Sequence, residues 1–177
     1  MTHREIRMER FFKYIDKVSE WTGKIASFMV MILALAIGYD IFMRYFFNKP
    51  SFWAYDMTIL IYGSYTMLGA AYCHLRKGHV RMDLFYARLS PRGRAIVDVI
   101  CYLVLFFPLF VVLVYKIGEH ALWSLESGER ASGSSWRPPL APFKLLIAYG
   151  FLLFLLQGLV EFLRALIVAL KGGEYDA

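Results

Sequence analysis

No part of this chain is polar enough, over enough residues, to fold as a separate water-soluble domain. Charged residues make up 19% of its 177 positions and apolar ones 59%, with a mean hydropathy of +0.49. So much apolar surface cannot be hidden inside so short a chain, and lipid must take the remainder. Catalytic signatures are missing too. Neither G-x-S-x-G nor H-E-x-x-H occurs, Gly63-Ser64-Tyr65 lacks the surroundings of an intramembrane serine protease, and there is no Walker loop to hydrolyse ATP. Strands of the alternating β-barrel kind are absent. Cysteine appears twice, as Cys73 and Cys101, both placed toward the cytoplasmic side, so free thiols are expected rather than a disulfide. The chain reads as neither an enzyme nor the holder of a cofactor.

What is present is length in apolar runs. About 20 helical residues cross a hydrocarbon core ~30 Å thick, and four runs reach that length: about residues 25–46, 53–75, 95–115 and 142–163. The expected fold is therefore an all-α integral membrane protein. Four transmembrane helices form one membrane domain over residues 1–177, with an N-terminal interfacial amphipathic helix over residues 5–22. In that lead-in Met8, Phe11, Phe12, Ile15 and Val18 recur at helical spacing, and Arg10, Lys13, Asp16, Lys17 and Glu20 fill the rest. It either lies in the inner interface and turns into the first span near Trp21, or stands as a solvated lead-in. The first apolar run is too long and too late for a signal peptide.

Lysine and arginine set the orientation, because basic loops resist translocation. Arg4, Arg7, Arg10, Lys13, Lys17 and Lys24 precede the first span. Arg76, Lys77, Arg81, Arg88, Arg92 and Arg94 lie between the second and third, whereas the first connection holds only Lys49. Both termini and the middle loop are thus expected in the cytoplasm, and the net charge of +6 is a topology signal rather than a nucleic-acid surface.

Between the spans, Asn48-Lys49-Pro50-Ser51 breaks the helix and makes the first two spans an antiparallel hairpin. On the second span Asp56, Gly63 and Ala70 are spaced by seven, with Ser64 and Ala71 beside them, a small-residue face that lets another helix approach closely. Ser90 and Pro91 read as N-cap and first residue of the third span, which Pro108 should kink. The loop from Ser127 to Pro142, rich in Gly, Ser and Pro, should be irregular.

Ionisable side chains inside a span are functional candidates by default. Asp40 and Arg44 stand at i and i+4 with the acid first, the favourable order for a pair. They read equally as a structural salt bridge at the outer interface or as contact to a partner, and Asp56 could join them across the hairpin. Glu161 and Arg164 read as an i,i+3 pair or as snorkelling side chains. Trp21, Trp53, Tyr55, Trp123 and Trp136 suit interfacial anchors. Haem ligation is the rival chemistry. It is poorly served, since His74 and His120 fall at opposite ends of their spans, and His74 and His79 are about 140° apart around a helix.

Arg44-Tyr45, Asn48, Pro50 and Trp53 in the outer turn, Gly69-Ala70-Ala71 in span two, and Gly78-His79-Val80 with Asp83 in the inner loop carry a family resemblance. With the four-span plan, the chain resembles the small DctQ-like membrane subunit of tripartite ATP-independent periplasmic (TRAP) transporters over essentially its whole length. It departs at Asp56, where that family more often has Glu. The resemblance implies the scaffold subunit of a secondary transporter in the cytoplasmic (inner) membrane of a bacterium or archaeon. A large membrane subunit would carry substrate and Na+, and a periplasmic substrate-binding protein would deliver a small organic anion, a carboxylate or sulfonate. Candidate partner-interface residues are Asp40, Arg44, Trp53, Asp56, Gly63, Ala70 and His79. Two readings from other classes stay open: a membrane anchor of a redox enzyme, with or without haem, and a free-standing homodimeric exporter.

Overall fold

The structure is a computed structural model that describes residues 3–76, 78, 89–133 and 135–171. Its elements are helices α1 (His3–Phe47), α2 (Ala54–Leu75), α3 (Pro91–Cys101), a π-helical turn (Tyr102–Phe106), α4 (Phe107–Ser127) and α5 (Ala141–Lys171). Among the described residues three helical stretches are long and apolar enough to cross a membrane: Glu9–Phe47, Arg92–Ser127 and Ala141–Leu170. Helix α2 has 22 residues, a spanning length, but Asp56, His74 and its many tyrosines dilute its hydropathy.

The lead-in is not a separate element. No break occurs at Trp21, because the sequence from His3 onward lacks glycine or proline until Gly23 and helix continues through it. The amphipathic face of the lead-in is also used differently from the expectation of an interfacial helix. Phe12 and Ile15 are buried against Val160 of α5, with Leu156 and Leu163 packed around them.

At the other end α1 stops at Asn48, which adopts φ 52°, while the Lys49 N–H bonds back to the Met43 carbonyl at 3.2 Å. Asparagine takes the left-handed position that ends the helix, and Pro50 follows where a helix could not resume. Helix α2 then returns along α1 and lies between α1 and α5. Its buried residues are Ala54, Ile61, Ser64, Leu68 and Ala71, successively seven, three, four and three apart. On α5 Gly150 lets the two backbones meet: a Cβ there would lie 2.8 Å from the Met67 carbonyl carbon, closer than any real contact.

The third expected span is realised as α3, the π-turn and α4 in one continuous stretch. Ser90 caps it as expected, its Oγ accepting from the Gly93 N–H at 3.2 Å. Pro108 cannot donate to Val104 and its ring would strike that carbonyl. The helix answers by widening into the π-turn just before it, where the Phe107 N–H reaches Tyr102. The turn rotates Phe106 onto α5 at Gly158, where a Cβ would lie 2.3 Å from the ring. Past α4 the expected irregular loop is partly ordered: Arg130 and Pro139 form an antiparallel bridge, closed by bonds from Ala131 N to Pro138 O and Leu140 N to Glu129 O. Neither Cys73 nor Cys101 is in a disulfide.

Candidate functional site

At the α1–α2 turn, Asp40 does two jobs. Its Oδ2 accepts from the Arg44 guanidinium at 2.8 Å and its Oδ1 from the Ser51 N–H at 2.8 Å, so one carboxylate ties the end of α1 to the start of the return strand of the hairpin. Trp53 stacks on Tyr39 with ring centroids 5.7 Å apart and 25° between planes. Three of the residues singled out from the sequence are therefore brought together, with Arg44 left 59% exposed. Asp56 does not join them. Its Oδ2 is buried with no hydrogen-bond partner among the described residues.

Gly63 and Ala70 are partly buried on α2, and the space above Gly63 is taken by Ile147 of α5. The small-residue face therefore serves packing within this chain. His79 and Asp83 fall outside the described residues.

A second polar constellation sits at the opposite end, joining α1 to α5. The Arg164 guanidinium donates to Asp16 Oδ2 at 2.6 Å and to Glu161 Oε1 at 2.5 Å. Asp16 Oδ1 accepts from Gln157 Nε2 at 3.0 Å, and Gln157 Oε1 accepts from Ser19 Oγ at 3.0 Å. Ser19 and Gln157 are both fully buried, and the Phe12 ring lies 5.6 Å below the guanidinium. Each polar group thus finds a partner where lipid and apolar side chains offer none. Sequence reasoning saw the Glu161–Arg164 pair but missed that it reaches α1. The signal was there: Gln157, Glu161 and Arg164 share one face of α5 at i, i+4 and i+7, and Asp16 and Ser19 share one face of α1.

A third cluster closes the outer end of α4 on α5. Lys144 donates to Glu129 and lies 3.2 Å from His120 Nδ1. The Lys144 hydrogen bond and charge hold the Glu129 carboxyl below its ordinary pKa.

Of the histidines with described side chains, His74 and His120 do not form a paired ligand set. His74 Nε2 lies 3.0 Å from the Tyr102 hydroxyl amid Phe106 and Phe154, and His120 faces Lys144 at the far end of the bundle. Among the described residues no group of three or more His, Cys, Asp or Glu is placed to hold a metal ion.

A family model described as the DctQ component of tripartite ATP-independent periplasmic transporters matches residues 33–167, well over half of the chain. No curated protein matches it. The matched segment takes in the outer hairpin whole, but only the α5 half of the inner constellation, since Asp16 and Ser19 precede it.

Proposed function

From a chain that belongs to the DctQ component family of tripartite ATP-independent periplasmic transporters, and so is a small membrane component of such a transporter, we propose a fixed scaffold. It braces a large membrane subunit that carries a small organic anion, of carboxylate or sulfonate type, together with Na+. A periplasmic binding protein delivers the anion. In this reading α2 is a fourth span and both termini are cytoplasmic. Helix α2 can afford its polar residues because α1 and α5 shield it on two sides.

The observation that carries the scaffold reading is where the intramembrane charge goes. Asp40 is engaged by Arg44 and Ser51, and Asp16 and Glu161 by Arg164, so these carboxylates hold helices together instead of waiting for a passenger. A carrier site needs groups that exchange partners during transport. What remains for a partner subunit is at the outer hairpin: the exposed Arg44, the stacked Trp53, and Asp56 in the first turn of α2, whose Oδ2 is enclosed by this chain. His79 completes the proposed interface; Gly63 and Ala70 do not, because their face packs within this chain, with Ile147 over Gly63. The exposed apolar side of the π-turn and α4, from Leu105 through Leu109 to Val112, suits lipid or that same partner.

Reconstitution tests it. Proteoliposomes holding the large subunit and the binding protein should take up substrate slowly or not at all without this chain, and regain uptake when it is added. Uptake at full rate in its absence would remove the scaffold role.

A further inference from the structure

Two cavities follow one another along the seam between α1 and α2. The first, about 320 Å³, opens at the lead-in end and is lined by Lys13, Asp16, Lys17, Glu20, Leu75 and Arg76. The second, about 440 Å³, continues from it toward the middle of the bundle, floored by Gly23, Ala26 and Gly69 and walled by Val30, Tyr62 and Tyr72. Tyr72 links them, since the Arg76 guanidinium of the first lies 5.5 Å over its ring.

The two have opposite chemistry. In the mouth Asp16 is already engaged by Arg164 and Gln157, and Glu20 faces Lys24 at 3.5 Å and Arg76 at 3.9 Å. Lys13 and Lys17 are exposed and have no ion-pair partner among the described residues, so the mouth keeps an excess of positive charge. In the groove the hydroxyls of Ser27 and Thr66 both turn back, to Gly23 O at 3.0 Å and Tyr62 O at 2.7 Å. Their donors are spent on their own helices, and the rest of the lining is apolar apart from Tyr62, Tyr65 and Tyr72.

We propose that this seam binds one anionic phospholipid from the leaflet on the lead-in side, its phosphate at Lys13, Lys17 and Arg76 and its acyl chains in the groove. The dimensions agree. From Lys17 to Val30 the helix rises about 20 Å at ~1.5 Å per residue, which matches one headgroup layer plus half of a ~30 Å hydrocarbon core. The inference rests on the four-span reading only in needing α2 to lie in the membrane.

Native mass spectrometry of the full chain in detergent, offered phosphatidylglycerol or phosphatidylcholine of the same acyl composition, tests it. One phosphatidylglycerol should be retained per chain, at least about tenfold more tightly than phosphatidylcholine. A lysine near an anionic headgroup contributes about fivefold, so Lys13→Gln with Lys17→Gln should weaken binding on the order of 25-fold. Gly69→Leu leaves every charge in place and fills the groove, since a Cβ there meets only the Ala26 methyl at 3.9 Å, and it should abolish retention with thermal unfolding unchanged. Equal retention of the two lipids, or retention by Gly69→Leu, overturns the proposal. The span reading is read separately, by labelling Ser51→Cys from outside sealed vesicles in a chain whose Cys73 and Cys101 are replaced by Ala. Absence of outside labelling counts against the topology alone.

Discussion

The hairpin end and the lead-in end of this bundle, outer and inner in the proposed topology, both carry charge, yet they hold it by different means. At the outer hairpin the partners are near in sequence: Asp40 meets Arg44 four residues on and Ser51 eleven on. At the inner end Asp16 and Ser19 meet Gln157 and Arg164 across 138 to 148 residues. The outer site closes a turn that Asn48 and Pro50 would form anyway. The inner site fastens the first helix to the last, and nothing local does that work. The hairpin end therefore leaves Arg44 exposed, whereas charge at the inner end is committed to the fold.

Substitutions can break or sharpen that contrast. The largest effect is expected between the two ends, where α2 and α5 touch. Gly150→Leu forces a side chain into the Met67 backbone and should cost about 3 kcal/mol or more, with loss of folded yield in detergent. Arg164→Leu comes next. It strands Asp16 and Glu161, and the loss should be on the order of 2–3 kcal/mol, under the ~3–5 of a fully buried pair because 36% of the side chain is exposed. A double-mutant cycle with Asp16→Asn should show the two coupled. Independent, additive losses would mean that the inner network is not a unit.

Asp40→Ala should lower the unfolding temperature by less than Arg164→Leu, and Arg44→Ala by less again, roughly a quarter of the Arg164 effect, since its pair is exposed. If the outer substitutions cost more than the inner one, the contrast is reversed.

The inner network shows what the sequence could and could not disclose. Asp40–Arg44, the Ser90 cap and the break at Asn48 were legible because each is decided within a few residues by helix geometry or backbone sterics. The Arg164–Asp16 bridge was not, because helical periodicity says which residues share a face but not which helix that face will meet. The same limit hid Gly150: the small-residue stripe was looked for on α2, while the close approach is made by a glycine on α5. Asp16 was assigned to a polar surface, and the continuous α1 turned it toward α5 instead. At Pro108 the sequence indicated a distortion, and the structure supplies its form, a π-turn.

The smallest effect concerns acid. Glu129 has a folded pKa below its ordinary 4.5, held there by Lys144. Its contribution is complete above that ordinary value and is lost as pH falls through the lower folded one. Unfolding followed from neutral pH downward should therefore show a shallow extra loss of stability below about pH 4.5. Lys144→Gln should remove that extra slope, and an unchanged slope would assign it to other carboxylates.

If charge in this bundle builds and docks a scaffold and does not handle the transported anion, combining Asp40→Asn, Arg44→Gln and Asp56→Asn in this chain should lower the number of complexes assembled in proteoliposomes and leave the initial uptake rate of each complex unchanged. Normal assembly with uptake per complex abolished would mean that these groups act on the anion itself.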